Sequence, residues 1–127
     1  MRELISSGSP WEPKIGYSRA VVVGDTIYVS GTAGEGPDAY AQTVSAVAII
    51  EGVLRGAGFA LADVVQSRLV VADWDHWEDA ARAHGETFGE IRPAFSIVHA
   101  LPFVDEAIRV ELEVTAVRTA GASAPVE

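Results

Sequence analysis

Two β-branched runs, Ser18-Arg19-Ala20-Val21-Val22-Val23 and Thr26-Ile27-Tyr28-Val29-Ser30, are parted by Gly24-Asp25. A two-residue glycine-containing break between such runs predicts an antiparallel hairpin. From Pro37-Asp38 the apolar period lengthens. Tyr40, Val44, Val47, Ile50 and Leu54 recur at three and four, predicting a helix with Asp38 as N-cap and Gly56 or Gly58 as its stop. Val64 to Ala72 returns to strand spacing. Asp73 is then placed to cap a second helix with the stripe Trp74, Trp77, Ala81, His84 and Phe88, closing at Gly89, and Pro93 prevents its continuation. Phe95 to Leu101 and Ala107 to Val117 read as two further strands, joined through Pro102 and Asp105.

This β-β-α-β-α-β-β order predicts an α+β domain with a mixed sheet, and right-handed crossovers put both helices on one face. The other face is left open. Yet the strands are apolar on both sides, with Val21 and Val23 alternating against Ala20 and Val22, and Ile97 and Leu101 against Val98 and Ala100. A second subunit is the simplest cover for such a face, so oligomerisation is expected; small residues leaving it only mildly apolar is the alternative. One domain is expected over residues 1–118, with residues 119–127 as a small, polar, disordered tail.

Charge and composition narrow the function classes. The chain of 127 residues carries a net charge of −9 and no cysteine. Without a Lys/Arg cluster, a polyanion meets repulsion rather than counterion release, which argues against nucleic acid. The lack of cysteine removes disulfides, thiolate catalysis and Cys-ligated zinc, and suits the cytoplasm. The opening residues lack an apolar core of signal-peptide length, and the longest apolar stretches fall short of a membrane span.

The last strand alternates Ile108, Val110, Leu112 and Val114 against Arg109, Glu111, Glu113 and Thr115. A solvated edge strand has the same pattern. On a face that becomes interior on assembly, however, a carboxylate there would be desolvated and suited to moving a proton or orienting water. His99 shares a strand face with Phe95 and Ile97 and is a candidate acid/base, though a lone strand histidine is more often a hydrogen-bonded structural residue. His84 falls on the apolar helical stripe and His76 in the first turn; the three histidines show no metal-ligand spacing, and no cofactor motif is present. Gly31, Gly34 and Gly36 make a flexible loop that leads into Pro37 rather than a phosphate-binding lysine. Tyr17, at the entry to the first strand, offers a phenol to a ligand or is an ordinary strand-start aromatic, the commoner case by itself. No serine is set beside an obvious base.

Taken in order, Ile15-Gly16-Tyr17-Ser18-Arg19-Ala20, Ile27-Tyr28-Val29-Ser30-Gly31, Ala62-Asp63-Val64-Val65, Phe88-Gly89, Arg92-Pro93-Ala94 and Val110 to Val117 resemble the YjgF/RidA family of imine and enamine deaminases, also called endoribonuclease L-PSP. The resemblance implies a chorismate-mutase-like fold and a homotrimer with an inner barrel of sheets, helices outside and three clefts between subunits. It implies that Glu111 holds the attacking water, with Tyr17, the Ser30-Gly31 turn and the backbone of Ile97 completing the pocket. The family arginine that clamps a substrate carboxylate after Pro-Ala is here Phe95, which cannot pair with one. Arg19, on the strand face of Tyr17, and Arg109, on that of Glu111, are candidate replacements. The sequence therefore points to a divergent enzyme that deaminates or tautomerises a small imine or enamine, not the usual 2-aminoacrylate type, with Phe95 favouring an apolar or aromatic substrate. A trimeric ligand-binding or regulatory protein without chemistry is the alternative, and a ribonuclease is disfavoured by charge.

Overall fold

The computed structural model describes residues 2–72 and 74–119; the expected cap at Asp73 and residues 120–127 of the expected tail lie outside them. Six strands, β1 (Arg2–Ile5), β2 (Ala20–Val23), β3 (Thr26–Thr32), β4 (Val64–Val71), β5 (Ala94–His99) and β6 (Val110–Val117), accompany the helices α1 (Ala39–Gly56) and α2 (Trp77–Phe88). They form one sheet in the order β1-β2-β3-β6-β4-β5. Only β4 and β5 run parallel; the other neighbours are antiparallel. The α+β class and the element order are as expected from the hairpin onward, and β1 is an addition. Its four residues include Arg2 and Glu3 and carry no apolar run. They are extended because the outer edge of β2 offers unpaired backbone groups, and Arg2 to Ile5 pair there with Val23 to Ala20.

Local chemistry accounts for the rest. Gly24 has φ 58 in the two-residue turn between Val23 and Thr26, the left-handed position that a tight hairpin reserves for glycine. Asp38 caps α1 by accepting from the Ala41 N–H at 2.8 Å. The sheet-facing row of α1 is Ala39, Thr43, Ala46, Val47, Ile50 and Leu54, with Gln42 buried as well, and Val44 of the expected stripe is exposed instead. Small side chains at the first three positions let the helix lie close against the sheet, a choice that apolar spacing alone does not express. Tyr40 turns to α2, where its phenol donates to Glu86 and Arg82 sits 4.1 Å above its ring. In α2 the buried residues are Ala80, Ala83, His84 and Phe88 rather than Ala81, and Trp74 stands outside in a short 3-10 turn, Trp74–His76.

Both helices pack together on one face, where Ile50, Leu54 and Phe88 meet Ile27, Leu69, Leu112 and Val114 of the sheet. Strand β6 alternates as its sequence requires, burying Val110, Leu112, Val114 and Ala116 and turning Glu111, Glu113 and Thr115 to the open face. That face also presents Leu4, Val21 and Tyr28, aligned across β1, β2 and β3, together with Val98 of β5. Among the described residues no helix is long and apolar enough to cross a membrane.

Inside the core, Ser67 Oγ and His84 Nε2 are 2.8 Å apart, and both residues are buried. Burial holds the imidazole below its ordinary value of 6.5. The neutral ring therefore stabilises the fold fully above that value, and stability declines as the pH falls from there toward the depressed folded value. Ser67→Ala strands the ring nitrogen and is expected to cost about 1–3 kcal/mol, read as a lower urea midpoint at pH 8. An unchanged midpoint would mean that the pair contributes nothing.

Candidate functional site

The site is built around a break in pairing. Val29 faces Val114 and Thr32 faces Leu112, so β3 spends one residue more than β6 between these two rungs. Ser30 and Gly31 occupy this β-bulge. A bulge bends its strand and re-aims what it carries, and a glycine inside a strand is its sequence signature. Here the bulge brings the chain under Glu111: a Cβ on Gly31 would lie 2.7 Å from Glu111 Oε1. The missing side chain is what makes room for the carboxylate. The Ser30 hydroxyl is committed to the Ser18 carbonyl at 2.6 Å, and the Ser30 carbonyl accepts from Thr32 Oγ1 at 2.8 Å.

Arg19 completes this group. It stands opposite Ser30, whose N–H donates to the Arg19 carbonyl at 3.0 Å, and its Nη2 donates to the carbonyls of Ser30 at 2.7 Å and Gly31 at 2.8 Å. Burial pushes the Glu111 carboxyl above its ordinary value of 4.5; Arg19 opposes the rise and neighbouring Glu113 adds to it. A second carboxylate, Glu12, approaches Arg19 from the loop after β1. It is buried and accepts from the Ser7 hydroxyl at 2.6 Å, the Ser7 N–H at 2.9 Å and the Ser6 hydroxyl at 2.8 Å. Those three bonds, with Arg19 also contributing, hold its carboxyl below the ordinary range despite the burial. Glu12 opens a five-residue π-helical turn, Glu12–Gly16, closed by the Tyr17 N–H on the Glu12 carbonyl at 3.0 Å. Tyr17 emerges from that turn, and with Ser30, Tyr28, Val21 and Leu4 it lines an open cleft of about 700 Å³.

The remaining candidates lie elsewhere. Phe95, Ile97 and His99 pair in register with Ser67, Leu69 and Val71, so they belong to the helix-side face of β5. Glu111 is on the opposite face, two strands away, with β4 between. Within one chain Phe95 and Glu111 therefore stand on opposite faces of the sheet. Phe95 lies against the buried histidine, ring centroids 4.6 Å from His84, and His99 lies 5.7 Å from Trp74, which stacks on Trp77 at 5.6 Å. Phe95, Trp74 and His99 are all exposed, making an aromatic margin along the last strand of the sheet. Arg109 does not join Glu111 either; it lines a separate cleft with Ala72, Pro102, Glu106 and Ile108. Its displacement follows from position, because β6 begins only at Val110 and Arg109 belongs to the preceding loop.

A model of the Endoribonuclease L-PSP family matches residues 9–118. The chain belongs to the YjgF/L-PSP family. The match takes in every residue of the Glu12, Arg19, Ser30, Gly31 and Glu111 cluster. A Mycobacterium tuberculosis structure, described as a member of the highly conserved YjgF/YER057c/UK114 family, superposes with a TM-score of 0.88 at 42% identity, covering 93% of this chain and 100% of the other. An uncharacterized protein of Streptomyces coelicolor is 34% identical over 124 residues, 91% of this chain and 92% of its own. A RutC family protein of Sulfurisphaera tokodaii is 31% identical over 86 residues, 61% of this chain and 69% of its own. The mixed sheet with two main helices on one face is thus the fold of a YjgF/L-PSP member. Sequence reasoning missed Glu12 and the bulge; the only advance signal was Gly31 itself, standing at the end of an otherwise β-branched run.

Proposed function

We propose that this YjgF/L-PSP chain deaminates by hydrolysis, or tautomerises, a small imine or enamine in clefts between the copies of a homotrimer. The observation that carries the reading is the half-buried Glu111 carboxylate seated over Gly31 on an uncovered sheet face. A desolvated carboxylate of raised pKa is a competent base: it accepts a proton from water as the oxygen adds to the imine carbon, and returns it as ammonia leaves and a carbonyl forms. Tyr17, on the rim of the adjoining cleft, is placed to assist. The exposed aromatic margin of β5, with Phe95, Ile97 and His99, enters the same cleft only from a second copy, so the site is incomplete in a monomer. Phe95 offers a ring rather than a cation, which favours an apolar or aromatic substrate without a carboxylate. The absence of cysteine suits action in the cytoplasm.

Ammonia release from a panel of imines, generated enzymatically from amino acids and from uncharged amines, tests this. Hydrolysis concentrated among imines without a carboxylate is the expected result. No release across the panel, with small aromatics still raising the melting temperature, would instead favour a trimeric binding protein, the reading that Phe95 also permits. Light scattering at micromolar concentration is expected to give three times the 13.4 kDa of one chain. A folded monomer would sink the shared cleft. Ribonuclease activity is disfavoured by the net charge of −9, and RNA cleavage surviving substitution of both Glu111 and Tyr17 would belong elsewhere.

A further inference from the structure

Arg19 has the position of a ligand-binding cation and the bonding of a strut. One nitrogen, Nη2, is shared between two backbone acceptors, the carbonyls of Ser30 and Gly31. These are the two bulge residues, and the Glu111 carboxylate lies over the second of them. Guanidinium and carboxylate therefore flank the same pair of peptide groups. Arg19 Nε is buried and has no hydrogen-bond partner, so the side chain is held by its head alone. The Glu12 and Glu111 carboxylates both feel its charge. A guanidinium with Nη2 tied to two carbonyls and Nε buried cannot offer a substrate carboxylate its full fork of donors.

We propose that Arg19 is a positioning residue, which pins the Ser30 and Gly31 carbonyls in the bulge beneath the Glu111 carboxylate, rather than a clamp for substrate. The proposal rests on Glu111 as the water-orienting group of the preceding section. It also sharpens the substrate class: with Phe95 uncharged and Arg19 committed, the pocket takes an imine that is neutral or cationic.

The charged groups around Glu111 on each neighbouring element bear this out. Its own strand presents Glu113, which is drawn off toward Arg68 of β4 at 3.7 Å. Strand β4 sets the uncharged Val70 directly opposite it. The segment entering β2 supplies Arg19, and Glu12 lies beyond that. Among these groups Arg19 is the one that opposes the desolvation of the Glu111 carboxylate and the repulsion from Glu113.

The test reads Glu111 directly, by side-chain carboxyl NMR titration of the intact chain without substrate, with Glu111→Gln used to assign the signal. Arg19→Gln removes the charge, and the Glu111 midpoint is expected to move to higher pH. Arg19→Lys keeps a charge on a shorter reach, cannot serve both carbonyls in the same geometry, and is expected to give a smaller rise in the same direction. Should Arg19→Gln not fold, Arg19→Lys alone decides. A midpoint that stays put or falls in every folded variant overturns the proposal. So does a KM increase in Arg19→Lys confined to carboxylate-bearing imines, which would make Arg19 a clamp. Because the titration needs no turnover, a shifted midpoint in a chain that hydrolyses nothing would fault the proposed function and leave the role of Arg19 intact, whereas hydrolysis with an unmoved midpoint would do the reverse.

Discussion

Glu111→Gln is expected to abolish imine hydrolysis and, at the same time, to make the folded chain harder to unfold at neutral pH. The loss follows from removing the base: the amide cannot accept a proton from water, and positioned acid–base groups are worth roughly 10²–10⁴ in rate. The gain follows from the sign of the Glu111 shift. Burial raises its folded pKa above the ordinary 4.5, and this outweighs the attraction of Arg19, since the net direction is upward. A carboxyl that binds its proton more tightly when folded penalises the folded state wherever it is ionised. Wild-type stability from this group thus rises as the pH falls through the raised folded value toward the ordinary one, and the penalty is complete at pH 8. Urea midpoints at pH 8 and pH 5 read this out. The glutamine variant is expected to be the more stable at pH 8, with the gap narrowing at pH 5. A variant that is inactive and also less stable at pH 8 would mean that the carboxylate is structural, and its place in the chemistry would lose its support.

Two glycines three residues apart are expected to fail in different ways. At Gly31 an added methyl meets Glu111 Oε1 at 2.7 Å, the far end of a flexible side chain that can swing aside. Gly31→Ala is therefore expected to unfold at nearly the wild-type urea concentration while losing activity about as severely as Glu111→Gln, since the carboxylate is moved off its station. At Gly34 the added methyl meets the Ala46 nitrogen and the Gln42 carbonyl at 2.5 Å, both in the backbone of α1. A helix backbone cannot step aside alone. Gly34→Ala must push α1 from the sheet, with an expected cost of about 2–3 kcal/mol, typical of overpacking, and a correspondingly lower urea midpoint. Equal stability losses at the two positions would mean that the carboxylate is as rigidly held as the helix.

The parts of this architecture that were legible in the sequence are those written in local chemistry. Gly24-Asp25 gives the hairpin, Asp38 gives the helix start, and the alternation through Glu111 and Glu113 gives a strand with one polar face, each within a dozen residues. What escaped depends on partners distant in sequence. Strand β1 exists only because the edge of β2 accepts it. Glu12 becomes a buried carboxylate only once Ser6 and Ser7 fold back on it, and nothing in Trp11-Glu12-Pro13 announces that. Alternation correctly put Phe95, Ile97 and His99 on one face. Which face that is relative to Glu111 follows from two registers, β5 on β4 and β4 on β6, that no local pattern encodes. Arg19 stood out by its position before β2, but its engagement with the Ser30 and Gly31 carbonyls rests on the bulge, which adds a residue that simple alternation does not count.

The placement of β6 reaches beyond the site. Among the described residues the last strand in sequence lies between β3 and β4, and within the sheet it joins the β1-β2-β3 half to the β4-β5 half. While the chain leaves a ribosome, both halves are exposed before the strand that unites them has appeared. Each then presents an unpaired inner edge to the solvent, the kind of surface on which nascent chains adhere to one another. The seat of Glu111 is thus completed only by a strand that emerges after β1 to β5, and its pairing closes long loops on both sides.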